Sequence, residues 1–126
     1  MNCLSLSACY LFFECDNVFF NLENYRFYKK EEMQKLLYDG NLYTKADFIP
    51  VPHINDLEIP QAYLLSLNDR ILLERFNRMT KKKFIHNFHI MFQGDSGERY
   101  SEFAVNYLMD FGARWCEQVG IKFTRK

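Results

Sequence analysis

The stretch from residue 98 to residue 119 constrains the fold of this chain more than any other feature. Its apolar side chains recur at the three- and four-residue spacing of one helix face: Tyr100, Phe103, Ala104, Tyr107, Leu108, Phe111, Trp115 and Val119. Such a stripe predicts a long helix that packs on a core. Asp95 and Glu98 have capping-box spacing before this helix, and Gly120 followed by Ile121 predicts a Schellman end.

The run Arg-Trp-Cys-Glu, residues 114–117, lies inside this predicted helix. Trp115 falls on the apolar stripe, so we expect a core tryptophan. Cys116 lies close to the helix C-terminus, where the negative end of the helix dipole opposes formation of a thiolate. The run therefore indicates a packing element rather than a reactive site.

The front of the chain reads as β-structure. Aromatic-rich segments at 10–15, 17–22 and 25–29 predict an antiparallel meander of two to three strands, with a turn at Asp16-Asn17. The residue pattern over 31–40 predicts a short helix that ends at Gly40. Residues 46–52 predict an extended edge segment, because the prolines at 50 and 52 cannot donate to a central ladder.

The rest of the chain has helical periodicity. Pro60 suits the first turn of one helix, Asn68 or Asp69 can cap a helix over 70–79, and Thr80 can cap a helix over 81–92. The 126 residues fit a single domain, strand-rich over 1–52 and helical over 56–120. We predict an α+β fold in which the N-terminal meander packs against three to four C-terminal helices.

Charge and cysteine content limit the classes of partner and compartment. The net charge is zero, but residues 1–69 carry ten acids against five Lys and Arg, and residues 70–126 carry six acids against eleven. Global attraction to nucleic acid or to an anionic membrane is therefore not expected, while a local basic surface is. The four cysteines form no Cys-x-x-Cys pair, which favours reduced thiols and a cytoplasmic location.

The N-terminal apolar run lacks the basic region of a signal peptide and the length of a membrane span.

A basic run provides the strongest candidate site. Six cations fall between residues 70 and 83, with Glu74 as the acid among them: Arg70, Arg75, Arg78, Lys81, Lys82 and Lys83. Cationic side chains near a helix start can hold an anion. The candidate residues for binding an anion or a partner are Arg75, Arg78, Lys81, Lys82, Lys83 and His86. The alternative is a solvated face, or one that pairs with the acidic front half.

Other chemistry has little support in the sequence. His86 and His89 form an H-x-x-H pair, but no glutamate lies between them and no third ligand is identifiable, so we predict no metal site. Motifs for nucleotide binding or nucleophilic hydrolysis are absent from the sequence. We therefore predict no catalytic residues and no cofactor.

The order of these segments resembles an uncharacterised small bacterial protein family of the UPF type. The resemblance runs through VFFNLENYRFY, FIPVP, LNDRILLERFNRM, KKKFIHNFHIMF and ARWCEQVGI. It implies an N-terminal strand pair, a helical C-terminal part and a closing helix with a tryptophan and a Gly-Ile end. Since that family has no established activity, the resemblance implies a fold and no function.

Three hypotheses for function remain open at this stage. The favoured one is a non-enzymatic cytoplasmic binding domain whose basic helical corner contacts an anionic protein or a nucleic acid. A second is a small phosphate- or nucleotide-processing enzyme, in which Asp16 and Glu23 would serve catalysis or bind a metal. A third is an adaptor or inhibitor that adds an aromatic strand edge, within residues 10–28, to a protein partner.

Overall fold

A computed structural model describes residues 2–39 and 42–126, and it divides the chain into two compact units. The first unit comprises Met1–Ile54 and Leu108–Lys126, and the second comprises Asn55–Tyr107. An antiparallel three-stranded sheet near the N-terminus and four helices beyond residue 56 confirm the α+β class. The assignment of the whole chain to a single domain stays a prediction.

The sheet of the first unit has the strand order β3-β2-β4, with β2 at Val18–Asn21, β3 at Arg26–Lys29 and β4 at Phe48–Pro50. Strand β2 is antiparallel to both neighbours, with Phe20 opposite Phe27 on one side and Ile49 on the other. The two later strands of the predicted meander are thus confirmed. The segment with the prolines is an edge strand, as its missing N–H donors require.

The predicted strand at residues 10–15 is wrong. Helix α1 spans Leu6–Cys9, and a 3-10 helix follows at Tyr10–Glu14. Leu6, Cys9 and Phe13 are all buried, and their spacing of three and four residues matches a helical face rather than the alternation of a strand. The turn at Asp16-Asn17 consequently joins a 3-10 helix to β2 instead of joining two paired strands, and Asn17 has a left-handed backbone with φ of 56°.

Two further elements complete the periphery of this unit. Strand β1, Leu4–Ser5, pairs in parallel with β5, Phe123–Thr124, so both chain ends meet in one short ladder. Helix α2 spans Lys30–Asp39 and confirms the predicted helix; the proposed end at Gly40 lies outside the described residues. The Glu32 carboxylate accepts a hydrogen bond from the Lys29 backbone N–H at 2.9 Å, which caps the start of α2.

Helix α6, Asp95–Val119, contributes its C-terminal part to the core of the first unit. Trp115 is 7% exposed and its ring lies edge-on to Phe13 and Phe20, with centroids 5.8 Å away in both cases. The predicted core tryptophan is therefore confirmed. Val119 is 42% exposed, so its assignment to the buried stripe is wrong.

The end of α6 has the predicted geometry. Gly120 has φ of 79°, and the Ile121 N–H donates to the Cys116 carbonyl at 2.9 Å. This is the long-range hydrogen bond of a Schellman motif, and the buried Ile121 side chain supplies the apolar contact that accompanies it.

The second unit is helical: α3 spans Glu58–Ser66, α4 spans Arg70–Asn77, α5 spans Lys81–Met91, and the first part of α6 completes it. The predicted caps are confirmed, because the Asp69 carboxylate accepts from the Leu72 N–H at 3.0 Å and the Thr80 hydroxyl accepts from the Lys83 N–H at 3.4 Å. The capping box before residue 98 is wrong. Helix α6 already begins at Asp95, which lies inside the first turn.

The core of the second unit is almost entirely aromatic. Its buried members are Tyr63, Leu64, Phe76, Phe84 and Phe88. The Phe76 ring centroid lies 5.0 Å from that of Phe84 and 6.2 Å from that of Phe88, so one ring of α4 is packed against two rings of α5. These edge-on contacts fix how the two helices meet.

In residues 2–39 and 42–126, no helix combines the length and the apolar character that a membrane crossing requires. This includes α6, whose 25 residues have charged side chains along its exposed face.

Replacement of Trp115 by alanine should destabilise the protein by about 3–5 kcal/mol, because it removes a large buried ring and leaves a cavity among Phe13 and Phe20. Urea unfolding followed by circular dichroism would measure the loss. Val119→Ala, at an exposed position of the same helix, should change stability by less than about 0.5 kcal/mol. Equal losses in the two variants would contradict the assignment of Trp115 to the core.

Candidate anion-binding site

The predicted site residues meet at the turn between α4 and α5. We call this surface the basic corner, and it consists of Arg75, Arg78, Lys81, Lys82, Lys83 and His86. Arg75 lies in the last turn of α4, Arg78 follows the helix end, and the three lysines form the first turn of α5. All six residues lie within the segment 75–86, whose Phe76 and Phe84 side chains are buried in the aromatic core.

All six side chains of the basic corner are exposed. Lys81 pairs with Asp56, with a Nζ–Oδ2 distance of 3.7 Å. Within the part of the chain that the structure describes, Arg75, Arg78, Lys82 and Lys83 form no ion pair, although Glu74 lies one helical turn before Arg78. Four cations of the corner are therefore available to a ligand.

The lysines occupy a position that disfavours positive charge. A helix N-terminus carries the positive end of the helix dipole, so acidic side chains stabilise the first turn and basic ones destabilise it. Helix α5 has three lysines and no acidic residue in its first turn, whereas α2 and α6 both have two acids there. The positive charge of these three lysines therefore does not serve the stability of α5.

The two histidines of α5 are exposed and bind nothing within the described residues. No group of three His, Cys, Asp or Glu side chains in residues 2–39 and 42–126 is arranged to hold a metal ion. His86 belongs to the basic corner by position, since it lies one turn after Lys82 and Lys83.

The acids of the enzyme hypothesis lie in the first unit. Asp16 precedes β2 and Glu23 follows it, so roughly 13 Å of extended strand separates them. The Asp16 carboxylate lies 3.2 Å from the His53 imidazole, and the Glu23 backbone carbonyl accepts a hydrogen bond from Asn2. The two carboxylates consequently do not converge on a common site.

The surface of the described residues includes two grooves of interest, one in each unit. One, of about 370 Å³, is lined in the first unit by Tyr28, Glu32, Lys35 and Leu36. The carboxylate in this groove, Glu32, already accepts the hydrogen bond that caps α2, so it is less available for acid–base catalysis. The other, of about 250 Å³, lies in the second unit between α3 and α4 and is lined by Leu64, Leu65, Asn68, Asp69, Arg70 and Leu73.

Sequence reasoning missed one buried polar residue, Asn21. Its side chain is fully buried, and its carbonyl oxygen accepts hydrogen bonds from the N–H groups of Glu23 at 2.8 Å and Asn24 at 3.0 Å. These bonds fix the β2–β3 turn, in which Tyr25 has φ of 58°. The amide nitrogen of Asn21 has no partner in the described part of the chain. The position of an asparagine directly before a turn is the sequence feature that could have indicated this role for Asn21.

The strand edge of the adaptor hypothesis is shorter than predicted. Strand β3 is an edge strand of four residues, and its Lys29 N–H is already bound by Glu32. Arg26 and Lys29 place exposed charges at both ends of β3, a common protection against strand addition. Residues 10–14, as a 3-10 helix, offer no strand edge at all.

The four cysteines are free thiols. Burial raises the pKa of Cys9 to about 12 and the pKa of Cys116 to about 11, with a smaller contribution to Cys9 from the neighbouring Cys116. Both thiols are therefore protonated at neutral pH, in agreement with the prediction that Cys116 is not an activated nucleophile. Cys3 and Cys15 are exposed.

No protein-family model matches this chain, and no curated protein or solved structure matches it either.

A thiol-specific disulfide reagent should label Cys3 and Cys15 rapidly in the folded protein, and Cys9 and Cys116 only after unfolding. Absorbance of the released thiolate at mildly alkaline pH would count the labelled groups.

Because the folded-state pKa values of the buried thiols lie above the ordinary 9.0, their contribution to stability is complete below about pH 9. It should be lost as the pH rises toward 11 and 12. Fast labelling of all four thiols in the native state would contradict this burial.

Proposed function

We propose that the protein is a non-enzymatic binding domain that contacts an anionic partner through its basic corner. The observation that carries the proposal is the first turn of α5, where three lysines stand with no acid, and where Lys82 and Lys83 lack an ion partner in the described residues. Charge that works against the local helix needs a compensating role, and a bound anion supplies one.

The composition of the corner fits recognition of a carboxylate or phosphate surface. Arg75 and Arg78 can each form two parallel hydrogen bonds to a planar anion, and the lysines add mobile point charges. A purely solvated face explains the exposure of these side chains but does not explain their placement at the helix start.

The remaining hypotheses lack a comparable observation. An enzyme using Asp16 and Glu23 needs the two acids at one site, and they lie at opposite ends of β2. An adaptor using the strand edge has only β3 to offer, and that edge is short and charged. We place the protein in the cytoplasm, since four free thiols suit a reducing compartment.

Reversal of two unpaired charges provides the test, with Lys82→Glu/Lys83→Glu as the variant. Affinity for fluorescent polyglutamate or for a single-stranded oligonucleotide should fall at least about tenfold, and the salt slope for the oligonucleotide should decrease by about two. Stability in urea should rise by about 0.3–1 kcal/mol for each substitution, because glutamate suits the first turn of α5. Binding and stability therefore move in opposite directions, which misfolding cannot produce.

The matched control is Lys30→Glu/Lys45→Glu, which makes the same charge change at two exposed positions outside the basic corner. It should leave the affinity for both probes within about twofold of the parent protein. Binding of both probes that survives the reversal at Lys82 and Lys83 would refute the proposal.

A further inference from the structure

We infer that the anionic partner is an acidic protein segment with an aliphatic side chain, that this side chain docks in the groove between α3 and α4 at the start of α4, and that carboxylates of the same segment reach the basic corner at the other end of α4. The inference rests on the proposed function and narrows the partner from any polyanion to one class of macromolecule.

The groove is large enough for one side chain. Its volume is about 250 Å³, and its lining combines three leucines, Leu64, Leu65 and Leu73, with the polar residues Asn68, Asp69 and Arg70. Arg70 lies at the same groove and supplies a cation next to the apolar surface. The Asp69 carboxylate at the groove caps α4 through its hydrogen bond to the Leu72 N–H, so part of its charge is already satisfied.

Three aliphatic side chains near the turn between α3 and α4 are exposed, and one of them, Leu65, lines the groove. Leu65 is 60% exposed, Leu67 40% and Ile71 79%, and these three residues fall on either side of the turn that joins α3 to α4. Exposed aliphatic side chains gain free energy when another protein covers them. A phosphate backbone would gain nothing from such contacts.

One exposed face of α4 carries Ile71 together with the two arginines of the basic corner. Ile71, Arg75 and Arg78 follow one another at spacings of four and three residues, so they lie on one side of the helix. All three are exposed, and the two arginines have no ion partner in the described residues. A segment with carboxylates on either side of an apolar residue matches this order of charge and apolar surface.

The distribution of aromatic residues favours protein over nucleic acid. Proteins that bind single-stranded nucleic acid stack bases on exposed aromatic rings. In the second unit, every Phe and Tyr side chain is buried or half-buried, and the exposed large apolar residues are aliphatic: Leu65, Leu67, Ile71, Ile90 and Met91. The surface thus offers charge and aliphatic contacts but no stacking platform.

The test compares three fluorescent probes by anisotropy titration: an acidic peptide with leucines at helical spacing, the same peptide with serine in place of every leucine, and a single-stranded oligonucleotide of equal charge. We expect the leucine peptide to bind at least about tenfold more tightly than either other probe. The Leu65→Ser/Ile71→Ser variant should lose that advantage and retain the weaker binding of the serine peptide. Ile90→Ser makes the same kind of change at an exposed position of α5, away from the groove. This control variant should bind all three probes as the parent does.

The outcomes separate this inference from the proposed function. Equal affinity for the leucine and serine peptides, or tighter binding of the oligonucleotide, would refute the docking inference while leaving an anion-binding domain. Binding of no probe would refute both. An advantage of the leucine peptide that persists in Leu65→Ser/Ile71→Ser would place the aliphatic contact elsewhere and would also overturn the inference.

Discussion

The contact between Phe13 and Gly112 is the constraint on which the first unit depends. A Cβ atom at residue 112 would lie 2.6 Å from the Phe13 ring, closer than side chains pack in folded proteins, and 3.1 Å from a Leu6 methyl group. Glycine therefore opens a notch in α6, and the fully buried Phe13 ring fills it. The Phe13 carbonyl also accepts a hydrogen bond from the Ile54 N–H. Phe13 therefore joins the N-terminal helical segment, α6 and the chain after β4.

That notch accounts for the conformation that sequence periodicity failed to predict. Residues 10–15 are rich in aromatic side chains and favour a strand by local propensity. Their neighbours Leu6 and Cys9 belong to the same buried face as Phe13, and this face has helical spacing. Tertiary packing against the glycine notch outweighs a propensity difference of at most about 1 kcal/mol. A search for helical spacing that started before residue 10 would have found the face.

The sequence predicted those helix ends that are stabilised by a capping residue or a terminal glycine. The caps Asp69 and Thr80 and the glycine end at Gly120 act through hydrogen bonds within a few residues, so the sequence alone contains them. The pairing of β1 with β5 joins residues more than a hundred positions apart, and no local pattern specifies it. The basic corner was predictable as a cluster, but which of its cations have an ion partner depends on the fold: Asp56 pairs with Lys81, and Glu74 pairs with none of the corner's cations in the described residues.

The exposed aliphatic residues beside the corner were predictable in principle. Successive residues of an α-helix are about 100° apart, so three neighbouring apolar residues span about 200° and cannot all face one core. In Ile71-Leu72-Leu73 the latter two pack on the aromatic cluster, and Ile71 points into solvent. In Leu64-Leu65 the first is 1% exposed and the second 60%. A helix with more apolar residues than its buried face can hold must present the excess outside, and here the excess lies next to unpaired arginines.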